Sequence, residues 1–108
     1  ATLLGLEADY EAARLLTLQA AWMADNRKPN SLQASMAKAK AGRTCVDVAL
    51  KCVEIAGSLG YAEGNGGAGL LEKWARDAKI LDIFEGTQQI QLLIVARRLL
   101  GKSSAELK

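Results

Sequence analysis

Apolar residues recur at three- and four-residue steps through most of the chain, the spacing of a helix face rather than the alternation of a strand. Leu4, Ala8, Ala12, Leu15, Leu18 and Trp22 form the first stripe, with Glu7, Asp9, Glu11 and Arg14 on the other side. Asp25-Asn26-Arg27-Lys28 ends it, and Pro29 forbids its continuation. A second stripe, Met36, Ala39, Val46, Ala49, Val53 and Ala56, predicts a helix from about Ser31 to Leu59. Asn30 stands at its start with Gln33 three residues on, an approximate capping box. Small residues between Ala34 and Gly42 allow a close approach, read most simply as tight helix packing. Gly60 is the expected left-handed cap at the far end.

Gly64 to Gly69 is too rich in glycine to be helical and reads as a flexible connector. A phosphate cradle is disfavoured there, because no strand precedes it and no GxxxxGK[ST] pattern is present. A short helix follows from about Leu70 to Leu81, with Leu70, Leu71, Trp74, Ala78 and Leu81 inward. The last runs from about Gln88 to Leu100, with Arg97 and Arg98 in its final turn and Gly101 as its stop. Lys102 to Lys108 is polar and expected to fray. The pattern thus predicts an all-α chain with helices near 1–27, 30–59, 70–81 and 87–100.

Length and composition fit one small helical domain: 108 residues, half of them apolar, with a single proline. Net charge is +2 with no basic run, so nucleic acid is not an expected partner. The absence of histidine removes the commonest metal ligand and the commonest general base, and no metal site is expected. Cys45 and Cys52 lie two helical turns apart, about 10 Å along the axis, too far for a disulfide. Two reduced thiols point to the cytoplasm, or the mitochondrial matrix in a eukaryote, and no membrane span is visible. The first stripe begins without a cap, so 1–108 is expected to be a single helical bundle domain cut from something longer. The last helix is apolar around more than half its circumference and should be covered, by a missing segment or by another copy of the chain.

One carboxylate sits in a distinctive place. Glu85 follows Phe84 and precedes Gly86 and Thr87, on a tight turn just before the last helix. Gly86 reaches backbone angles closed to other residues, and Thr87 is a good N-cap. A carboxyl group there can be shielded from water and held in one place, as a general base requires. On the residues alone, a surface acid favoured by the helix dipole is the preferred reading.

Arg76-Asp77-Ala78-Lys79-Ile80, followed after four residues by Glu85-Gly86-Thr87-Gln88-Gln89-Ile90-Gln91 and then by residues 93–97, resembles the C-terminal signature of acyl-CoA dehydrogenases. Ala34 to Ala39 extends the resemblance backward. It implies an up-down helical bundle that lacks its first long helix, and an FAD-dependent oxidation of the Cα–Cβ bond of an acyl-CoA. Glu85 would then be the catalytic base, and its backbone N–H would help to polarise the thioester oxygen together with a ribityl hydroxyl. Thr87 and Gln89 match FAD-contacting positions. Arg76 and Asp77 match a pair read as structural, a charge pair near the turn.

The family's Gln-x-x-Gly-Gly-x-Gly, which touches the FAD of a neighbouring subunit, reads here Glu54-Ile55-Ala56-Gly57-Ser58-Leu59-Gly60. Glu54 and Gly57 are therefore further candidate cofactor contacts, although a carboxylate at 54 repels a pyrophosphate. The implied partners are an acyl-CoA substrate, an electron-transfer flavoprotein or similar acceptor, and further copies of the chain in a dimer or tetramer. The alternative is a non-catalytic helical oligomerisation module of the same fold.

Overall fold

In the computed structural model, residues 1–64 and 69–106 are described, and they contain helices and turns with no strand. Helix α1 spans Thr2–Asp25, α2 Ser31–Ala56, α3 Ser58–Tyr61, α4 Leu71–Leu81 and α5 Gln88–Leu100. A short 3-10 turn follows at Ser104–Glu106. No described helix is long and apolar enough to cross a membrane. The Gly64 to Gly69 connector falls for the most part, at 65–68, outside the described residues.

Helix α2 is the central element, and α1, α4 and α5 each pack principally on it. Its buried residues are Ser35, Ala37, Ala39, Gly42, Thr44 and Val46, small enough to admit neighbours on several sides. A Cβ on Gly42 would lie 2.8 Å from the Leu81 carbonyl oxygen, so α2 and the end of α4 meet backbone to backbone. The expected close packing is what the small residues provide. The same choice keeps the core thin, and among the described residues no large side chain is fully buried.

The bundle is consequently open. Between α1, α2 and α4 lies an apolar groove of about 1060 Å³, lined among others by Tyr10, Leu18, Cys45, Cys52, Trp74 and Phe84. Both cysteines are free thiols and half-buried. On α5, Ile90, Leu92, Leu99 and Leu100 are exposed, whereas Leu93 and Ile94 are half-buried against the bundle.

Several local expectations change. The inward face of α1 is Ala13 and Ala20 with half-buried Leu6, Leu16 and Met23, while Leu4, Ala8, Ala12, Leu15, Leu18 and Trp22 are exposed. Packing on the small residues of α2 selects alanines from α1 rather than its larger apolar side chains. On α4, Ala78 is buried and Leu71 half-buried, whereas Trp74 and Leu81 are exposed along the open groove, and Leu70, just before the helix, is exposed too. Asn30 does not cap α2, because its amide donates instead to the Ala20 carbonyl at 2.8 Å and ties the two helices together.

Helix α2 stops at Gly57, whose φ of +61° breaks the ladder, and not at Gly60. Gly60 is required for closeness instead, since a Cβ there would lie 2.8 Å from the Val53 carbonyl. Within the described part of the tail, Glu106 accepts from the Ser103 N–H at 2.8 Å and hydroxyl at 2.6 Å, bonds that hold its carboxyl below the usual range.

Candidate functional site

The turn from α4 into α5 is built from three layers of hydrogen bonds. Helix α4 winds down through Ile83 and Phe84, whose N–H groups both donate to the Ile80 carbonyl. Glu85 then takes φ +54° and Gly86 φ +93°. Left-handed backbone costs a non-glycine residue about 1–2 kcal/mol. The other described non-glycine at positive φ is Arg27, in the turn that ends α1. Thr87 caps α5 as expected: its hydroxyl oxygen accepts from the Ile90 N–H at 3.3 Å.

The second layer is Asp82. It is only 3% exposed. Lys79 Nζ donates to its carboxylate at 2.9 Å, and the Arg43 guanidinium lies 3.8 Å away. The Lys79 hydrogen bond, opposed by burial and reinforced by the positive charges of Lys79, Arg43 and Lys38, holds its carboxyl below the usual aspartate range. Gln88, its amide nitrogen turned inward, donates to Asp82 Oδ1 at 3.0 Å and to the Ala39 carbonyl at 3.2 Å. The Gln88 N–H donates to the Asp82 carbonyl at 3.1 Å. Asp82 thereby locks the start of α5 onto the end of α4 and onto α2.

The third layer holds the Glu85-Gly86 backbone itself. Lys38 Nζ, on α2, donates to the Gly86 carbonyl at 2.8 Å. Gln91, buried on α5, donates through Nε2 to the Glu85 carbonyl at 3.1 Å. Among the described residues the Glu85 N–H has no acceptor. The Glu85 side chain is exposed at the rim of the apolar groove, and Phe84 beside it is 49% exposed. The expected shielding from water is therefore not supplied by the described residues, which leave the groove open on that side.

The remaining site candidates divide. Gln89 is exposed at the start of α5 next to Thr87, where its amide, the Thr87 hydroxyl proton and the helix N-terminus offer donors to a polar or anionic group. Glu54 and Gly57 lie at the far end of α2, about 22 Å or more beyond Ala39 at ~1.5 Å per residue. The chain does not bring them to Thr87 and Gln89. Glu54 is exposed and paired with Lys51 at 2.5 Å, which offsets part of its charge.

Arg76 and Asp77 do not pair with each other. Arg76 reaches Glu72 at 2.9 Å and Glu63 at 3.5 Å, while Asp77 takes Lys73, because adjacent helical positions point about 100° apart. Sequence reasoning missed Lys38, Asp82 and Gln91. A charged residue directly after an apolar helix end, and a glutamine inside an apolar stripe, were the signals that pointed to the last two.

A family description, "Acyl-CoA dehydrogenase, C-terminal domain", matches residues 1–100. The chain belongs to the acyl-CoA dehydrogenase family. It is 39% identical over 90 residues to the mitochondrial short-chain specific acyl-CoA dehydrogenase of Rattus norvegicus, a match covering 83% of this chain and 21% of that one. It is 38% identical over 92 residues to the caffeyl-CoA reductase-Etf complex subunit CarC of Acetobacterium woodii, covering 85% of this chain and 23% of that one. Among solved structures, a chain from work on the electron transferring flavoprotein of Acidaminococcus fermentans superposes with a TM-score of 0.83 at 35% identity. That superposition covers 91% of this chain and 25% of the other. The chain thus spans about a fifth to a quarter of the length of these acyl-CoA dehydrogenase relatives, and the all-α fold is the family's C-terminal domain fold.

Proposed function

We propose that this domain serves a flavin-dependent acyl-CoA dehydrogenase, and that Glu85 is its catalytic base. The observation that carries the reading is the backbone of Glu85, a carboxylate residue kept in the left-handed region at the rim of an apolar groove. Strain of this kind concentrates where geometry is needed for chemistry. Glu85 takes the α-proton of the acyl thioester and becomes a carboxylic acid. Its unpaired N–H donates to the thioester oxygen, on which negative charge develops as the proton leaves. FAD would supply the acceptor for the β-hydride and its electron pair, so that a double bond would be left between Cα and Cβ. Thr87 and Gln89 would hold that cofactor through their donors. Gly57 would approach the FAD of a neighbouring subunit, which fits its distance from Thr87 within one chain. Glu54 fits that role poorly, being anionic.

The groove between α1, α2 and α4 is the proposed seat of the earlier long helix that completes the bundle, and covering it would give Glu85 the dry surroundings that a base for a weakly acidic proton needs. Residues 1–108 alone are expected neither to retain FAD nor to oxidise acyl-CoA, and to self-associate through the uncovered apolar surface. A flavin absorbance surviving desalting, or a compact monomer in sedimentation at high concentration, would count against those expectations. The physiological reoxidant is proposed to be an electron-transfer flavoprotein.

The decisive experiment is stopped-flow reduction of the whole flavoprotein carrying Glu85→Gln. Loss of the basic oxygen should slow reduction by at least about 10²–10⁴-fold while acyl-CoA still binds. Near-parental reduction would remove Glu85 from the mechanism. The second reading, a non-catalytic oligomerisation module, rests on Glu54 and Ser58 standing where the family has Gln and Gly. It predicts no flavin reduction in either the parent or the variant.

A further inference from the structure

We propose that Lys38 and Gln91 are positioning residues for Glu85, acting on the reaction through its backbone rather than by touching substrate. The inference rests on Glu85 being the base.

A glutamate in the left-handed region has to be held there. Glu85 at φ +54° and Gly86 at φ +93° form a turn that the local sequence does not by itself prefer, since a glutamate gains nothing there that glycine or asparagine would not supply at lower cost. Something outside the turn must hold it. Two side chains from two different helices donate to the two successive carbonyls of that turn: Gln91 Nε2 to Glu85 at 3.1 Å and Lys38 Nζ to Gly86 at 2.8 Å. Bonding both carbonyls fixes two consecutive peptide planes. These are the 85–86 and 86–87 planes, so the two bonds restrain Glu85 from its C-terminal side and with it the direction of its Cα–Cβ bond.

Each donor is placed unusually. Lys38 is half-buried, and its hydrogen bond goes to a main-chain carbonyl 48 residues away. Gln91 is 8% exposed, on a helix whose neighbouring Ile90 and Leu92 are 48% and 52% exposed. The helix thus turns an amide inward while leaving apolar side chains out. Gly86 is interlocked with it: a Cβ at that position would stand 2.6 Å from Gln91 Nε2. Residue 86 must be glycine both for its own φ and to let the Gln91 amide reach past it. Lys38 and Glu85 also line the same groove, so the clamp and the carboxylate share one wall.

Two readings of this clamp make different predictions. If the two donors merely satisfy loop carbonyls, their loss lowers stability and leaves the chemistry of folded enzyme untouched. If they aim Glu85, their loss slows proton abstraction in enzyme that is folded and saturated with substrate, because small displacements of a base from its proton are costly.

The test uses the whole flavoprotein, with a four-carbon acyl-CoA as probe, and four variants: Lys38→Met, Lys38→Arg, Gln91→Glu and Glu85→Gln. Lys38→Met keeps the length of the side chain and removes the donor. Gln91→Glu keeps its shape and replaces the donor by an acceptor facing a carbonyl. Both are expected to slow flavin reduction at saturating substrate about 10- to 100-fold, with probe affinity changed less than about 3-fold. Lys38→Arg, which can still donate, should recover most of the rate. Lys38 lies at the surface side of the clamp, so Lys38→Met carries the test even if Gln91→Glu lowers folded yield. Parental reduction rates in Lys38→Met, alongside a Glu85→Gln variant that has lost reduction, overturn the positioning role and leave Glu85 as base. Reduction that persists in Glu85→Gln overturns both.

Discussion

The two ends of the work that α2 does can be compared directly, because each carries a glycine at positive φ. Among the described residues the turn at Gly57 is held by local backbone bonds: its own N–H reaches the Glu54 carbonyl, and Gly60 and Tyr61 donate back to the Gly57 carbonyl. At Gly86 the turn is held from a distance, by Lys38 on α2 and through Gln91, Gln88 and Asp82 around it. A Cβ would meet nothing within 4 Å at Gly57, whereas at Gly86 it would meet the Gln91 amide. One turn is a helix stop that faces open space. The other is a built structure, and the candidate base sits in it. The two turns, one proposed to carry the base and the other an inter-subunit contact, are thus built differently.

That contrast can be broken by substitution. The largest stability effect is expected from Gly86→Ala, which combines left-handed strain with displacement of Gln91 and should cost about 2–4 kcal/mol. Gly57→Ala carries strain without a clash, φ +61° with ψ −138° lying near a region open essentially to glycine alone, and should cost about 1–3 kcal/mol. Chemical denaturation of both variants checks the order, and equal losses would show that the Gly86 turn is no more built than the Gly57 turn.

Asp82 sharpens the same comparison through pH. Its folded pKa lies below the ordinary aspartate value. Between the two values the unfolded chain binds the extra proton, so the contribution of Asp82 is fully present above about pH 4 and is lost as pH falls through the folded value. Asp82→Asn should therefore flatten the decline of stability below about pH 4. It should also cost about 1–3 kcal/mol at neutral pH, because Lys79 and the inward Gln88 amide lose a charged acceptor. An unchanged acid profile would show that Asp82 does not brace the turn.

The smallest effect belongs to the other end. The Lys51–Glu54 pair has side chains 37% and 68% exposed. Lys51→Ala should change stability by less than about 1 kcal/mol. A loss comparable with that of Asp82→Asn would mean that the far end of α2 is more than a helix terminus.

The sequence by itself determined the all-α class and most helix limits. Three- and four-residue periodicity, Pro29, Thr87 and Gly101 are local signals, and helices are local structures. The last helix runs from Gln88 to Leu100 with Thr87 capping it and Gly101 left-handed at its end, as its own residues require. The motif around Glu85 was legible for the same reason, since its residues are contiguous.

Tertiary structure alone decided which faces turn inward and what holds the turn. The small residues of α2 drew in Ala13 and Ala20 rather than the larger apolar stripe of α1. Asn30 gave its amide to Ala20 instead of capping its own helix. Lys38 reached the Gly86 carbonyl across 48 residues. A hydrogen bond between residues so far apart leaves no period in the sequence. Burial of an ion such as Asp82 rests on Lys79 of its own helix end and also on Arg43 and Lys38, which arrive from α2. Those partners become visible only when the helices have been packed, which is why the candidate base could be named from the chain and the donors to its backbone could not.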